Sequence, residues 1–567
     1  KTACTFYTYD SVQDTYNPIT KVAKGELMEK TQPYYKTTQQ YSLNYKNTFN
    51  DLHDVEALAL WEWKETNTNW FMARRYYSTT SAIPELDRGD VDNMYNEGNS
   101  AVYKYGGLVG RLNYVYAGKY MAEFSFRYDG SYKTAPDKRW GFFPAVSAGW
   151  RISEEQFMKD LVPQMDNLKL RASWGSIGND SQLNASQFVS GWQFEDRFIL
   201  GGAGNSSASI TNGMKEANLA NPNITWYKVM TTNVGLDGSF WGGKLSFEFD
   251  YFYRKTTGYP ATRNTSLPTT SGIPLPQENL NSSDNRGFEL SLGTVQRIGN
   301  VNLQIKGNVA YAREKDLYKE QALPLNQYKN WRDNGAYRWK NVTWGYEHIG
   351  QFQSYDEIYN SPIQDGKGNS SLRPGDIKYK DLNGDGLIDA NDEKVIGKGT
   401  FPDLNFGLTL AADWKGFDVN ILFQGASNYT QVLNALTSPF RGPGEGNGFR
   451  VWMDSWHKAD YNDPDSEWVP GKFPSLRIEG NDNNSKKSTY WTTDAYYVRL
   501  KSIEIGYTIP KNLLSKVGIE HLRVYANAYN PLTITNVKYT DPEAIEGWQS
   551  FYYPQLKVYS FGVNVSF

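Results

Sequence analysis

An all-β transmembrane antiparallel β-barrel is what the sequence predicts. Three observations predict it: strict alternation of side-chain character over runs of about ten residues, aromatic residues at the ends of the apolar faces, and connections that alternate between short and long. Composition agrees. Of 567 residues, 15% are aromatic (18 Trp, 41 Tyr, 27 Phe), 50 are Gly, and mean hydropathy is −0.64. So high an aromatic content excludes disorder, and no apolar run approaches the ~20 residues that a spanning helix needs. With 59 Lys+Arg against 62 Asp+Glu the net charge is −3, which gives no electrostatic case for nucleic acid. Cys4 is the only cysteine, so an internal disulfide is impossible. The four histidines, His53, His348, His457 and His521, stand too far apart for zinc-ligand spacing.

Taken along the chain, the alternation begins near Tyr34 and ends at Phe567, giving fifteen strands, or sixteen if Thr5 to Tyr9 closes an earlier one. Tyr120, Ala122, Phe124, Phe126 and Tyr128 share one face opposite Met121, Glu123, Ser125 and Arg127. Leu245, Phe247, Phe249, Tyr251 and Tyr253 oppose Ser246, Glu248, Asp250 and Arg254, while Phe417, Val419, Ile421 and Phe423 oppose Asp418, Asn420 and Gln424. At the end Tyr559, Phe561, Val563, Val565 and Phe567 alternate with Ser560, Asn564 and Ser566. A soluble sandwich alternates too. What distinguishes a membrane wall is the layout of its connections: Ala117-Gly118-Lys119, Gly242-Gly243, Ile298-Gly299-Asn300 and Trp414-Lys415-Gly416 are tight. Those running from Ser176 to Ile224, Thr256 to Asn285, Glu314 to Pro402 and Asn428 to Ala495 are long. Short turns at one rim and long loops at the other describe an outer-membrane barrel, and no linker divides the chain, so residues 1–567 read as one domain.

No catalytic constellation emerges. Gly444 to Gly448 and Gly397-Lys398-Gly399-Thr400 lack the spacing of phosphate loops, and Gly175-Ser176-Ile177-Gly178 is no nucleophile elbow. Glu154 and Glu155 read as a solvated rim. The stretch Asn330 to Trp339, with Trp331, Tyr337 and Trp339, and the pair Trp452 and Trp456 place large rings in loops, where they either pack or stack on a sugar or peptide. The sharpest motif runs from Asp381 to Asp392. Asp381, Asn383, Asp385, Leu387 (through its carbonyl), Asp389 and Asp392 occupy the oxygen-ligand positions of a calcium loop, with Gly386 at the turn, so a structural Ca2+ is expected. Crowded carboxylates would repel one another without a cation, and Asp392 replaces the usual Glu at the last position.

Arg127-Tyr128-Asp129-Gly130-Ser131 and Arg139 to Glu155 resemble a signature of the SusC-like TonB-dependent outer-membrane transporters of Bacteroidetes. So do Gly350 to Ser354 with Pro374-Gly375-Asp376-Ile377, and Tyr497 to Tyr507. The resemblance implies a barrel of about 22 strands with a plugged lumen. On that pattern roughly 15–16 strands are present, and residues 1–567 correspond to the C-terminal portion of the barrel domain, the N-terminal plug, the TonB-contacting segment and the first strands having no counterpart. It also implies active import of oligosaccharides or peptides and a SusD-like surface lipoprotein acting as a lid. The implied contacts extend to the TonB complex through that N-terminal segment, to the plug and remaining barrel, and to outer-membrane lipid. Two other readings of the same residues are a self-contained porin and a secreted β-rich glycan hydrolase; the latter lacks a defensible carboxylate pair.

Overall fold

The computed structural model describes residues 6–10, 13, 15–19, 25–77, 85–185, 187–200, 209–263, 275–322, 326–433, 436, 449–477, 482–514, 518–544 and 555–567. Sixteen strands form one antiparallel sheet in which neighbours in sequence are neighbours in space. Its first two members, Gly25–Thr31 and Tyr34–Phe49, lie end to end on the same long partner, His53–Tyr77, interrupted at Gln32-Pro33 where proline removes a donor. They therefore fill a single position, and the wall is fifteen positions wide, as the alternation from Tyr34 to Phe567 indicates. The expected earlier strand is not part of it. Phe6–Asp10 instead pairs with Thr15–Ile19 as a separate hairpin. Among the described residues no ladder joins Val558–Ser566 to the opposite edge, so the sheet is open.

Sidedness settles what kind of sheet this is. Tyr120, Phe124 and Tyr128 are 45%, 43% and 42% exposed, and Leu112 and Val146, paired across from Phe124, are exposed as well. A soluble sandwich would bury that face; here it looks outward, as in a lipid-facing wall. The opposite face carries ion pairs between strands, for example Arg171 to Asp237 (2.8 Å) and Asp250 (2.7 Å), and Arg523 to Asp418 and Glu504. No helix among the described residues is long and apolar enough to cross a membrane.

The tight turns converge on one rim. Ala117-Gly118, Trp241-Gly242-Gly243, Gly299 and Lys415-Gly416 all take positive φ, the backbone that two-residue hairpins require. Aromatic rings cluster beside these turns: Tyr116 stacks on Tyr120 (6.3 Å between centroids), Trp241 meets Phe240 (5.6 Å) and Phe417 meets Tyr507 (4.5 Å). They form an interfacial belt.

At the other rim the sheet does not stop where a bilayer would. His53–Tyr77 and Tyr95–Tyr116 run for 25 and 22 residues, about twice the length a spanning strand needs. Extension of this kind corrects the long loop expected from Thr256 to Asn285. Strands Leu245–Thr262 and Gln277–Ile298 remain paired out to Thr262 and Gln277, leaving only 263–276 to connect them. Within the paired stretch Gly258 to Pro260 forms a bulge, with Gly258 at φ 72° and register shifts on both sides of Tyr259. Pro260 is tolerated because the neighbouring strand Tyr227–Phe240 has already ended its pairing at Thr257.

Two connections build a folded cap above this rim. Tyr346, Ile377, Tyr379 and Ile388 from 319–403 share one buried cluster with Leu436, Trp452, Phe473 and Trp491 from 433–491. Backbone bonds stitch the halves: Tyr346 N–H to Lys487 O (2.9 Å) and Thr489 N–H to Tyr346 O (3.0 Å). Asn483 and Asn484 complete the seam, Asn484 accepting from the Ile377 amide (3.0 Å) and Asn483 O accepting from the Tyr379 hydroxyl (2.7 Å). A further connection, after Thr535, is held to the wall by buried Arg499, which pairs with Asp541 (2.9 Å) and Glu543.

Candidate functional site

Beneath the roof formed by 326–344, the polar face of the wall lines a chamber of about 1420 Å3. Its floor and sides come from the tops of Tyr227–Phe240, Leu245–Thr262, Gln277–Ile298 and Val301–Tyr318. Its roof is positioned by two local devices. Asn326 caps the short helix Gln327–Asp333, its side-chain oxygen accepting from Lys329 N–H at 2.8 Å, and this helix presents Trp331, which is 62% exposed. The next segment then docks antiparallel on the wall: Asp316 N–H donates to Arg338 O (2.8 Å) and Lys340 N–H to Glu314 O (2.9 Å). That docking holds Trp339 under the Arg313 guanidinium, 4.5 Å from the ring centre, and holds Tyr337 73% exposed with φ at +60°. A positive φ at an aromatic residue is strained, at about 1 to 3 kcal/mol.

Charge in the chamber is unbalanced. Seven cationic side chains line it against three carboxylates. Lys340 sits between Glu314 (2.7 Å) and Asp316 (3.2 Å); burial works to lower its ammonium, but the two carboxylates outweigh it and leave the group above the ordinary lysine value. Arg332 pairs with Asp333 at 2.6 Å, Lys394 with Glu347 at 2.6 Å and Arg313 with Asp403 at 3.6 Å. Arg254, Arg313 and Lys319 could not be assigned to the site from sequence, because a polar-face position on a strand says nothing about whether a roof lies above it.

The two groups of loop aromatics part company. Trp331, Tyr337 and Trp339 line the chamber, whereas Trp452 and Trp456 are buried in the cap. Trp456 lies over Gly375, at φ 90°, where any Cβ would collide with the indole, and its ring N–H donates to Gln351 (3.3 Å). Glu154 and Glu155 serve the turn rim, binding Lys159 (2.8 Å) and the Tyr120 hydroxyl (2.6 Å). Gly175 and Gly178 belong to a wall strand packed against Ala145 and Phe143. Lys398 ends a cap strand, Glu393–Lys398, and Gly444 to Gly448 lies outside the described residues.

In the acidic loop the carboxylates are committed to backbone amides. Asp381 accepts from Gly384 (2.6 Å) and Gly386 (2.9 Å), Asp385 from Leu387 (2.9 Å), and Asn383 from Asp385 (3.0 Å). Asp389 caps the turn by accepting from Asn391 (2.6 Å). Asp392 is fully buried, with its two oxygens accepting from Leu382 (2.8 Å) and Asp389 (2.9 Å). Repulsion among these groups is therefore offset without an ion, and among the described residues no three His, Cys, Asp or Glu side chains stand close enough to hold a metal together. Leu387 is tied to the cap by a bridge to Ile363.

A family model described as TonB dependent receptor-like, beta-barrel, matches residues 3–531. The chain is 27% identical to TonB-dependent receptor P3 of Formosa agariphila, over 100% of this chain and 56% of that protein. It is 26% identical to TonB-dependent receptor SusC of Bacteroides thetaiotaomicron, over 81% and 43% respectively. The RagAB peptide importer in its closed-closed state superposes with a TM-score of 0.72 at 22% identity, covering 97% of this chain and 57% of that one. The chain thus spans about half the length of the relatives it matches.

Proposed function

The chain belongs to the TonB dependent receptor-like β-barrel family of the outer membrane, and from that premise we propose that it is the wall and ligand-capturing surface of an active oligosaccharide importer. Membership sets aside both the secreted hydrolase and the self-contained porin. The observation that carries the substrate class is the chamber itself: exposed faces of Trp331 and Tyr337 over a polar, charged floor suit sugar rings, which stack by their C–H faces while their hydroxyls bond to polar groups. RagAB, named a peptide importer, keeps a peptide ligand as the second reading. Import would draw on the TonB complex and on a plug, with a SusD-like lipoprotein closing over the cap.

Isothermal titration of the full-length transporter with size-matched oligosaccharides and oligopeptides tests the reading, with Trp331→Ala and Tyr337→Ala as controls. Saccharide binding lost in both variants is expected; peptide binding alone would replace the sugar by a peptide. Recovery of a lipoprotein in a gentle-detergent pull-down tests the lid. Calcium at Asp381 to Asp392 is proposed as a structural ligand that would use the second lone pairs of Asp381, Asn383 and Asp385, and titration after chelation against an Asp381→Ala, Asp385→Ala double variant tests it. Identical titrations would leave an amide-pinned turn.

A further inference from the structure

We propose that the chamber selects an acidic oligosaccharide, one carrying sulfate esters or carboxylates, over a neutral one; this rests on the saccharide reading above. The carbohydrate reading needs only the rings. The charge needs a separate explanation. Four of the seven chamber cations have carboxylate partners, but Arg254, Lys319 and Arg338 have none within ion-pair distance among the described residues. These three come from different elements: Arg254 from the wall strand Leu245–Thr262, Lys319 from just past the end of Val301–Tyr318, and Arg338 from the roof.

Their surplus is local. The whole chain carries −3, so a general basic character does not account for it. Unpaired cations facing one cavity repel each other, and keeping them there is unfavourable unless an anion is received. The arrangement also has fixed geometry. The Lys319 stem packs against Gly335, where a Cβ would collide with it, and Arg338 is aimed by donating to the Arg332 carbonyl at 2.6 Å. Tyr337 lines the same chamber, kept exposed on a left-handed backbone that costs free energy. Exposed rings flanked by forked and point-like cations suit a ring ligand bearing anionic substituents: the ring face lies on Tyr337 or Trp331, and the sulfate or carboxylate meets a guanidinium or ammonium.

The test is titration calorimetry on the full-length transporter with four probes: a galacturonate hexamer, its carboxyl-reduced counterpart, a sulfated galactan hexamer and a glutamate-rich hexapeptide. At least one acidic hexamer is expected to bind about tenfold more tightly than the reduced one, since each charge-assisted hydrogen bond contributes on the order of one such factor. That preference should shrink with added salt and in Lys319→Gln and Arg254→Gln, both at exposed positions. Equal binding of acidic and reduced hexamers would overturn the proposal while leaving the saccharide reading intact. Tight binding of the hexapeptide alone, or of no probe, would overturn both. An acidic preference unchanged in either variant would place the selection elsewhere and remove it from this chamber.

Discussion

The wall and the cap are made from one chain with similar residues, and they use their aromatics in opposite ways. In the wall, Phe124 and Tyr128 face outward and the strands are held together by backbone ladders and by ion pairs such as Arg171 to Asp237. In the cap, Trp491, Phe352 and Tyr379 are fully buried, and polar groups are satisfied inside, as when Asp376 accepts from Asn484 (2.8 Å) and pairs with Arg477. The cap packs its rings inward as the interior of a globular protein does, and the wall is its inside-out counterpart. Side-chain loss should therefore be expensive in one region and cheap in the other.

The largest expected effect is in the cap. Trp491→Ala removes a ring that touches Trp452, Phe473 and Tyr490, and should destabilise the cap by about 3 to 5 kcal/mol. Limited proteolysis should cut within 319–403 and 433–491 while the heat-modifiable barrel band persists; joint loss of both would show that wall and cap are one cooperative unit. Next comes polarity on the outer face. Phe124→Arg should impair assembly by about 2 to 4 kcal/mol, read as reduced heat-modifiable yield, and normal yield would contradict the lipid-facing assignment. Acid should come third, read at Asp365 in the cap. Burial pushes the Asp365 carboxyl up, but hydrogen bonds from the Ser371 hydroxyl and the Ser371, Lys367 and Asn369 amides outweigh it and hold the group down at about 2. A depressed folded value means a contribution that is complete above the unfolded value of about 3.9 and is lost as pH falls toward 2. Near-ultraviolet circular dichroism of the cap should lose signal through that window, and Asp365→Asn should flatten the dependence. The smallest effect is Phe124→Leu, which exchanges one lipid-facing apolar group for another and should shift stability within about 0.5 kcal/mol.

The same contrast explains what could be read beforehand. A wall strand writes its environment into a period of two, so the strands from Tyr34 onward and the turns at Ala117 to Lys119 and Trp414 to Gly416 were legible. Extension beyond the bilayer was not, because above the lipid both faces are wet and the alternation fades; the paired ribbon around Thr256 to Asn285 looked like a loop for that reason. In the cap no period exists. Trp456 and Trp331 are equivalent as letters, and only the partner across the fold, Gly375 for one and open chamber for the other, separates packing from presentation. Likewise the oxygens of Asp381 to Asp392 fit both a cation and a ring of amides.

The seam between the two halves of the cap also sets an order in time. His348 bonds to Thr489 at 2.7 Å across 141 positions of sequence, with the wall strands Leu404–Trp414 and Phe417–Val432 between them. The cluster around Trp491 and Tyr379 takes its residues from both halves, so that core cannot form until both connections have crossed to the same side of the membrane. Hairpins of the wall close over short loops and can form early, whereas the cap must wait for contacts of high sequence separation. Its appearance would report that the hairpin Leu404–Trp414 and Phe417–Val432, which lies between the two halves, is already in place.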